Sequence, residues 1–447
     1  MSLHRRLASQ STIIFGARLF GAGLVFLVQA LIARIWGAEL LGEYLIVIAT
    51  VNLIAVVMPL GFHTVGTYFA AEYRARGDRR QLVAFLVRSY GHVVAAFALL
   101  TAFGPLVLRL LGQGDSVMAQ HVVPVSLLAF STAMVYVNGA LLVGLKRPFA
   151  GFFADTMFRP LVVLAAFASA AAIAAPAAGF DYMLWYIAIG YLAIALIHFG
   201  FVLASLPRVA DSMAPRPAEA RRWWRFAAPW VLISLATDFF FDIDLLLLSQ
   251  ALSREELAIF GVCTRIFSLV SFGVAAVYAV TLPDMFESEA KADRQDFHRK
   301  VGEANVVASL ISLVLFAIMA AAAPFALMLF GPSFSAGALP LAILCLALVV
   351  RSVMGPASMV LSIHDRPWAS LPAVALGMAT LVGGNWLLVP PFGLTGAALA
   401  AIVAITAWSV GLWIIALRTA GIDVSILQWF RARRAAAEEA RAAGRAV

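Results

Sequence analysis

The feature that most constrains this chain is a succession of long apolar stretches, each of about 20 residues or more, separated by short polar turns. An α-helix rising 1.5 Å per residue needs roughly 20 mostly apolar residues to cross the hydrocarbon of a bilayer. By that measure the first six spans fall at 12–35, 43–71, 82–111, 121–145, 149–175 and 182–206. The next six fall at 226–250, 257–286, 301–330, 338–362, 368–390 and 394–417. The expected fold class is an all-α polytopic membrane protein with about 12 transmembrane helices. Only 13% of the residues are charged. A soluble domain carries about 25%, so lipid rather than water must be the solvent for most of the surface. The 12–35 stretch is longer than a signal-peptide core and lacks a cleavage pattern after it, so it reads as the first span.

Lys and Arg favour cytoplasmic loops, and here they gather in alternate loops. Arg5 and Arg6 precede the first span; Arg74, Arg76, Arg79 and Arg80 follow the second; Lys146 and Arg147 follow the fourth. Arg208, Arg216, Arg221, Arg222 and Arg225 fill the central stretch. Lys291, Arg294, Arg299 and Lys300 come next, then Arg366, then Arg431, Arg433 and Arg434 in the tail. The intervening loops are almost free of positive charge, Arg254 being the exception. The expected arrangement is multi-pass in a bacterial inner (cytoplasmic) membrane, with both termini cytoplasmic. The net charge of +8 is then a topology signal, and no nucleic-acid partner is implied. No outer loop can hold a folded domain of the kind that membrane polymerases and glycosyltransferases use, so transport is expected and an enzyme is not. Cys263 and Cys345 lie inside apolar stretches and read as small core residues. Neither a nucleotide-binding motif nor zinc or triad spacing occurs, so no cofactor and no metal are expected.

The two halves match weakly but in order. Gly144-Leu-Lys-Arg-Pro-Phe-Ala150 matches Ile363-His-Asp-Arg-Pro-Trp-Ala369; Arg76-Gly-Asp-Arg-Arg80 echoes Lys291-Ala-Asp-Arg-Gln295; Glu39-Leu-Leu-Gly-Glu-Tyr44 parallels Glu255-Glu-Leu-Ala-Ile-Phe260. All three offsets are close to 217 residues. Six helices per repeat is an even number, so both repeats enter the membrane alike. Such repeats form two lobes related by a pseudo-two-fold axis along the membrane normal. The expected boundaries are an N-lobe at 1–206, a cytoplasmic linker at 207–225, a C-lobe at 226–417 and a basic tail at 418–447. The tail reads as an interfacial helix carrying Ile426, Trp429 and Phe430 beside its arginines.

Several of these segments resemble a known family. Arg34-Ile-Trp-Gly-Ala-Glu-Leu-Leu-Gly-Glu-Tyr44, Pro59-Leu-Gly-Phe62 with Phe69-Ala-Ala-Glu-Tyr-Arg74, Asp244-Leu-Leu-Leu-Leu-Ser249 and Phe392-Gly-Leu-Thr-Gly-Ala-Ala398 are similar to signatures of polysaccharide-transport flippases. These belong to the multidrug/oligosaccharidyl-lipid/polysaccharide exporter superfamily. The resemblance implies two six-helix lobes around a central cavity, with alternating access. It implies a cargo of undecaprenyl-pyrophosphate-linked oligosaccharide for lipopolysaccharide, exopolysaccharide or capsule synthesis. Membrane lipids and polysaccharide polymerase or export machinery would be partners. An ion-coupled multidrug exporter and a lipid II-type flippase stay open as alternatives, and a membrane glycosyltransferase is the reading from another class.

Candidate site residues are the charges inside spans, because a charge at mid-helix costs at least about 2.5–3.5 kcal/mol and so faces a cavity or a partner. Arg18, Arg88 and Asp155 lie roughly 9 Å from the cytoplasmic end of their spans at 1.5 Å per residue. Arg159 is one turn beyond Asp155 on the same face. With Arg265 and Arg351 these form the expected substrate-binding set, since a guanidinium fork suits phosphate oxygens. Asp155 and Arg159 can equally neutralise each other. Asp238, Asp242 and Asp244 on the seventh span are the expected gate or ion-coupling set, Asp244 with Arg265 being either a structural pair or a gate. His63 and Asn138 read as hydrogen-bonding groups in helix packing, and Arg34 as an interfacial residue.

The topology is checked by single cysteines in a chain with Cys263 and Cys345 replaced by alanine. A membrane-impermeant maleimide should label Gln113→Cys in intact spheroplasts and Arg80→Cys only after permeabilisation; the reverse pattern would invert the assignment.

Overall fold

The computed structural model describes residues 3–114, 116–173, 175–207, 217–290, 294–363, 367–431 and 433–434. Arg208, Arg216, Lys291 and Arg366 of the loop pattern, part of the 363–369 repeat match and the tail beyond 434 lie outside the described residues. Among the described residues every regular element is helical.

Contacts divide the chain into two compact units, Met1–Leu246 and Leu247–Val447. The first unit opens with α1 (Leu3–Ile35), α2 (Ala38–Val57), α3 (Phe62–Ala75), α4 (Arg79–Leu110) and the short α5 (Val117–Gln120). It continues with α6 (Val122–Gly144), α7 (Pro148–Phe153), a π-helical turn at Ala154–Phe158, α8 (Arg159–Ile173), α9 (Pro176–Ala204) and α10 (Pro217–Asp238). α11 (Phe240–Leu248) begins in it and crosses the boundary by two residues. The second unit holds α12 (Arg254–Ala290), α13 (Arg294–Met328), α14 (Ala338–Met354), α15 (Ala357–Ile363) and α16 (Leu371–Thr419).

Ten described stretches are long and apolar enough to cross a membrane. One of them, Trp368–Thr419, has 52 residues and would measure about 78 Å if straight. It bends at Gly393 (φ 52°, ψ −129°), just after Pro390 and Pro391, where the sequence separates the last two spans. Other expected spans are interrupted too. The 43–71 span is two helices: Pro59 follows the end of α2, and Leu60 (φ 50°) and Gly61 (φ 82°) turn the chain before α3. The 338–362 span breaks at Gly355 (φ 84°) and Pro356, between α14 and α15. Proline cannot donate to the helix ladder and the left-handed residue ends it, so each break is local to its residues.

Each unit is organised around one helix. α6 packs against α9, α3, α4, α2 and α7, and is buried on most of its circumference. α14 packs against α13, α16 and α12. These are the fourth spans of the two halves, the same ones that end in the strongest repeat match. Small residues bring the backbones together: a Cβ on Gly139 would lie 2.8 Å from the Gly151 carbonyl oxygen, and one on Gly151 equally close to that of Gly139. Such close approaches are how helices associate where apolar burial offers no gain over lipid. Cys263 and Cys345 are both free and buried, and the Cys263 thiol donates to the Gly337 carbonyl at 3.4 Å.

Gly61 is needed twice, for its φ and because a Cβ there would lie 2.1 Å from the Ala227 carbonyl oxygen on α10. Gly61→Ala should therefore cost at least about 1–3 kcal/mol, read as a lower thermal midpoint in detergent. Gly77→Ala (φ 69°), where a Cβ meets nothing within 4 Å, should cost distinctly less. Equal losses would remove the close contact as the cause.

Candidate polar centre of the first unit

The chain places its most buried intramembrane cation at the junction of the π-helical turn and α8. Arg159 is 9% exposed. Its Nη1 donates to Asp155 across one turn, and its Nη2 donates to Thr132 Oγ1 on α6 at 3.0 Å. The guanidinium lies 4.4 Å from the ring centre of Tyr191 on α9 and 5.9 Å from that of Tyr136 on α6. Its Nε is buried without a hydrogen-bond partner. Asp155 is less enclosed, with 44% of its side chain exposed. A cation taken out of water costs several kcal/mol, and here a carboxylate, a hydroxyl and two aromatic faces compensate it.

The π turn belongs to this arrangement. A π segment inserts one residue into a helix and shifts the register of the turns beyond it, and such insertions recur at functional positions. Gly21 on α1 lies against it so closely that a Cβ would sit 1.7 Å from the Thr156 carbonyl oxygen.

A second polar group borders the first. Asp242 on α11 is 8% exposed and accepts from Asn52 Nδ2 on α2 at 3.4 Å. The ring of Phe239, where α10 gives way to α11, lies tilted 6.5 Å from that of Tyr136, and His63 on α3 lies 6.1 Å from the same ring. Asn138, fully buried on α6, donates to the Ala195 carbonyl at 3.1 Å and accepts from Tyr90 at 2.6 Å, a packing role.

Arg18 is exposed and its guanidinium lies 4.9 Å from the Phe152 ring centre. Arg88 is exposed, 6.0 Å from the Trp223 ring. Asp238 is exposed and accepts from Thr237 at 3.2 Å, while Asp244 is fully buried. Arg351 lies 5.9 Å from the Trp408 ring in the second unit. Arg265 belongs to the second unit and Asp244 to the first. Sequence reasoning missed Thr132, Tyr136 and Tyr191. As neutral residues in apolar spans they gave no signal of charge.

The described part of the central stretch, 217–225, is helical and forms the start of α10. Arg222 holds Glu72 at the end of α3 through both carboxylate oxygens, at 3.0 and 2.9 Å. Tyr73 donates to Glu219 at 2.7 Å and accepts from the Trp223 indole at 2.7 Å. Burial raises the Tyr73 phenol above its ordinary pKa, and the hydrogen bond from Trp223 opposes that in part. Glu72 drives the Arg222 guanidinium upward.

Helices of this length and packing define a multi-pass membrane protein with a transporter fold. Solved structures share it. One is described as an inward-facing multidrug resistance MATE family transporter of the MOP superfamily, with TM-score 0.71 at 15% identity, over 92% of this chain and 98% of that one. The lipid II flippase MurJ, in an inward closed conformation, matches with TM-score 0.71 at 13% identity, over 94% of this chain and 90% of that one. A MOP superfamily transporter from Pyrococcus furiosus, described as having a binding pocket of reversed polarity, gives TM-score 0.64 at 16% identity, over 91% and 94%. Among curated proteins none matches this sequence. Residues 7–289 match the family described as polysaccharide biosynthesis protein, and the chain belongs to that family.

Removing one partner of the Arg159 centre tests its energetics. Asp155→Ala leaves a buried cation without its carboxylate; because the Asp155 side chain is 44% exposed, the loss should fall below the about 3–5 kcal/mol of a fully buried pair. The double change Asp155→Ala with Arg159→Met should recover part of that loss in thermal unfolding.

Proposed function

We propose that this protein is a flippase that carries an undecaprenyl-pyrophosphate-linked oligosaccharide from the cytoplasmic to the periplasmic leaflet for surface polysaccharide synthesis. The observation that carries the reading is the Arg159 centre: a buried guanidinium with an uncommitted Nε and one exposed-edged carboxylate partner. An anionic pyrophosphate suits a fixed cation of this kind, and membership of a polysaccharide biosynthesis family supports a glycan cargo. Arg18 and Arg88 on the same unit would extend the cationic path, and Arg265 and Arg351 would be the substrate-binding cations of the second. Asp238, Asp242 and Asp244 would act in gating or ion coupling. The lobes would be bounded at 206 and 226, with both termini in the cytoplasm of a bacterium and the basic loops holding them there. Polymerase or export machinery would take up the product.

A second reading is an ion-coupled exporter of cationic drugs. The exposure of Asp155 and Asp238 favours it, as does the likeness to a multidrug resistance transporter. The lipid II-type reading rests on the likeness to MurJ.

Deletion of the gene separates these. The flippase reading expects loss of surface polymer with accumulation of undecaprenyl-linked units facing the cytoplasm. Complementation with Arg159→Lys, which keeps charge but loses the planar fork, should restore less than about a tenth of the polymer at equal protein level. Unchanged polymer with sensitivity to cationic dyes would transfer the assignment to the exporter. Arrest of murein synthesis would transfer it to lipid II.

A further inference from the structure

A second polar feature, in the other unit, is unconnected with the Arg159 centre. After Thr419 the chain leaves α16, turns at Gly421 (φ 69°) and folds back over the start of α13. Asp423, 3% exposed, fixes the turn. It accepts from Trp413 Nε1 at 2.8 Å, from Ser425 N at 3.0 Å and from Ser425 Oγ at 2.7 Å, and it pairs with Arg431 at 2.7 Å. Burial alone would raise this carboxyl, but those donors outweigh it and hold the pKa below the usual carboxylate range. Asn305 on α13 donates to the Val424 carbonyl at 3.1 Å, and Ile426 N donates to the Val353 carbonyl at 2.9 Å. Gly302 lies against the tail so closely that a Cβ would sit 2.9 Å from the Trp429 nitrogen. The tail expected from the sequence to form an interfacial helix is also, over 421–431, packed against the second unit.

The fold-back borders a half-open cavity of about 720 Å³ between itself, the end of α16 and the start of α13. Arg299 and His298 line it from α13, and Arg431 and Arg433 from the tail. The Arg433 guanidinium is held 4.6 Å from the Trp429 ring centre. Glu303 is a carboxylate on the same wall, and Asp423 is already committed to Arg431. Asp296 pairs with Arg299 and Lys300 beside it. With Asp296 counted, the four cations Arg299, Lys300, Arg431 and Arg433 meet the three carboxylates Asp296, Glu303 and Asp423, an excess of one positive charge.

Position settles what kind of anion would meet this cavity. Its walls include Gln295, the first residue of one candidate span, and Leu417, two residues before the end of another. It thus opens at the level where hydrocarbon gives way to headgroups. Leu427 and Phe430, 49% and 51% exposed, lie one turn from Arg431 and Arg434, an apolar and basic face of the interfacial kind. A soluble anion would need no such apolar face beside its arginines.

We infer that this cavity binds the headgroup of an anionic glycerophospholipid of the surrounding membrane, with its phosphate between Arg299 and Arg433 and its acyl chains along Leu427 and Phe430. The site is independent of the cargo assigned above. A bound lipid would tie the fold-back, and with it the ends of α13, α14 and α16, to the leaflet's charge.

Native mass spectrometry of the purified full-length protein in mild detergent tests this, with dioleoyl phosphatidylglycerol, dioleoyl phosphatidylcholine or inorganic phosphate as probe. Phosphatidylglycerol should be retained about tenfold better than phosphatidylcholine. The double variant Arg299→Gln, Arg433→Gln should lose that preference, and Arg80→Gln, in the other unit, should keep it. Because Arg299 also pairs with Asp296, Arg433→Gln alone, at an exposed position, should show a partial loss without change in thermal midpoint. Equal preference in wild type and double variant would overturn the site. Displacement of the lipid by millimolar inorganic phosphate would overturn its assignment to a lipid.

Discussion

Hydrocarbon offers a peptide group nothing to hydrogen-bond with, so a chain that crosses it must satisfy its backbone internally. The rest of this structure depends on that requirement. It explains why every described regular element is a helix, and it makes each departure from helix informative. The turn after Pro59, the π turn at Ala154–Phe158 and the break at Gly355 are each covered by other parts of their own unit. Ala227 closes over Gly61, α1 over the π turn, and the folded-back tail over Gly355, where a Cβ would lie 1.7 Å from the Val424 carbonyl oxygen. Irregular backbone is tolerated here where protein, not lipid, surrounds it.

The same rule governs side chains. Arg159 is held by Asp155 one turn away, and by Thr132 of α6 and the face of Tyr191 of α9, which meet it only in the folded unit. Arg18 and Arg88, one turn shallower by counting residues, remain exposed and rest on single aromatic rings. Depth alone does not bury a residue: Arg159 is buried because the π turn packs against α6 and α9, and α8 against α9.

Much of the architecture could be read from the chain. The alternation of apolar stretches gave the spans, and the common offset near 217 residues gave two related halves. The structure adds that the fourth span of each half is the helix around which its unit packs, through α6 and α14. The Asp155–Arg159 pair was legible because residues four apart share a helix face. Thr132, Tyr136 and Tyr191 were not, because uncharged polar residues in apolar helices are common and no periodicity marks which of them meet. The clamp of Arg222 on Glu72 spans 150 residues of sequence, and no local pattern foretells such a contact.

Sequence alone thus determined the class of solvent, the number and rough limits of the apolar helices and the positions of charge along them. These follow from one-dimensional quantities: hydropathy summed over about 20 residues, and the cost of a charge in hydrocarbon. Only tertiary structure decided which charges are buried, where the helices break without leaving backbone exposed to lipid, and that the basic tail folds back to border a cavity. Those outcomes depend on contacts between residues far apart in the chain. Asn305 with Val424 and Arg159 with Thr132 exist only once the helices have packed.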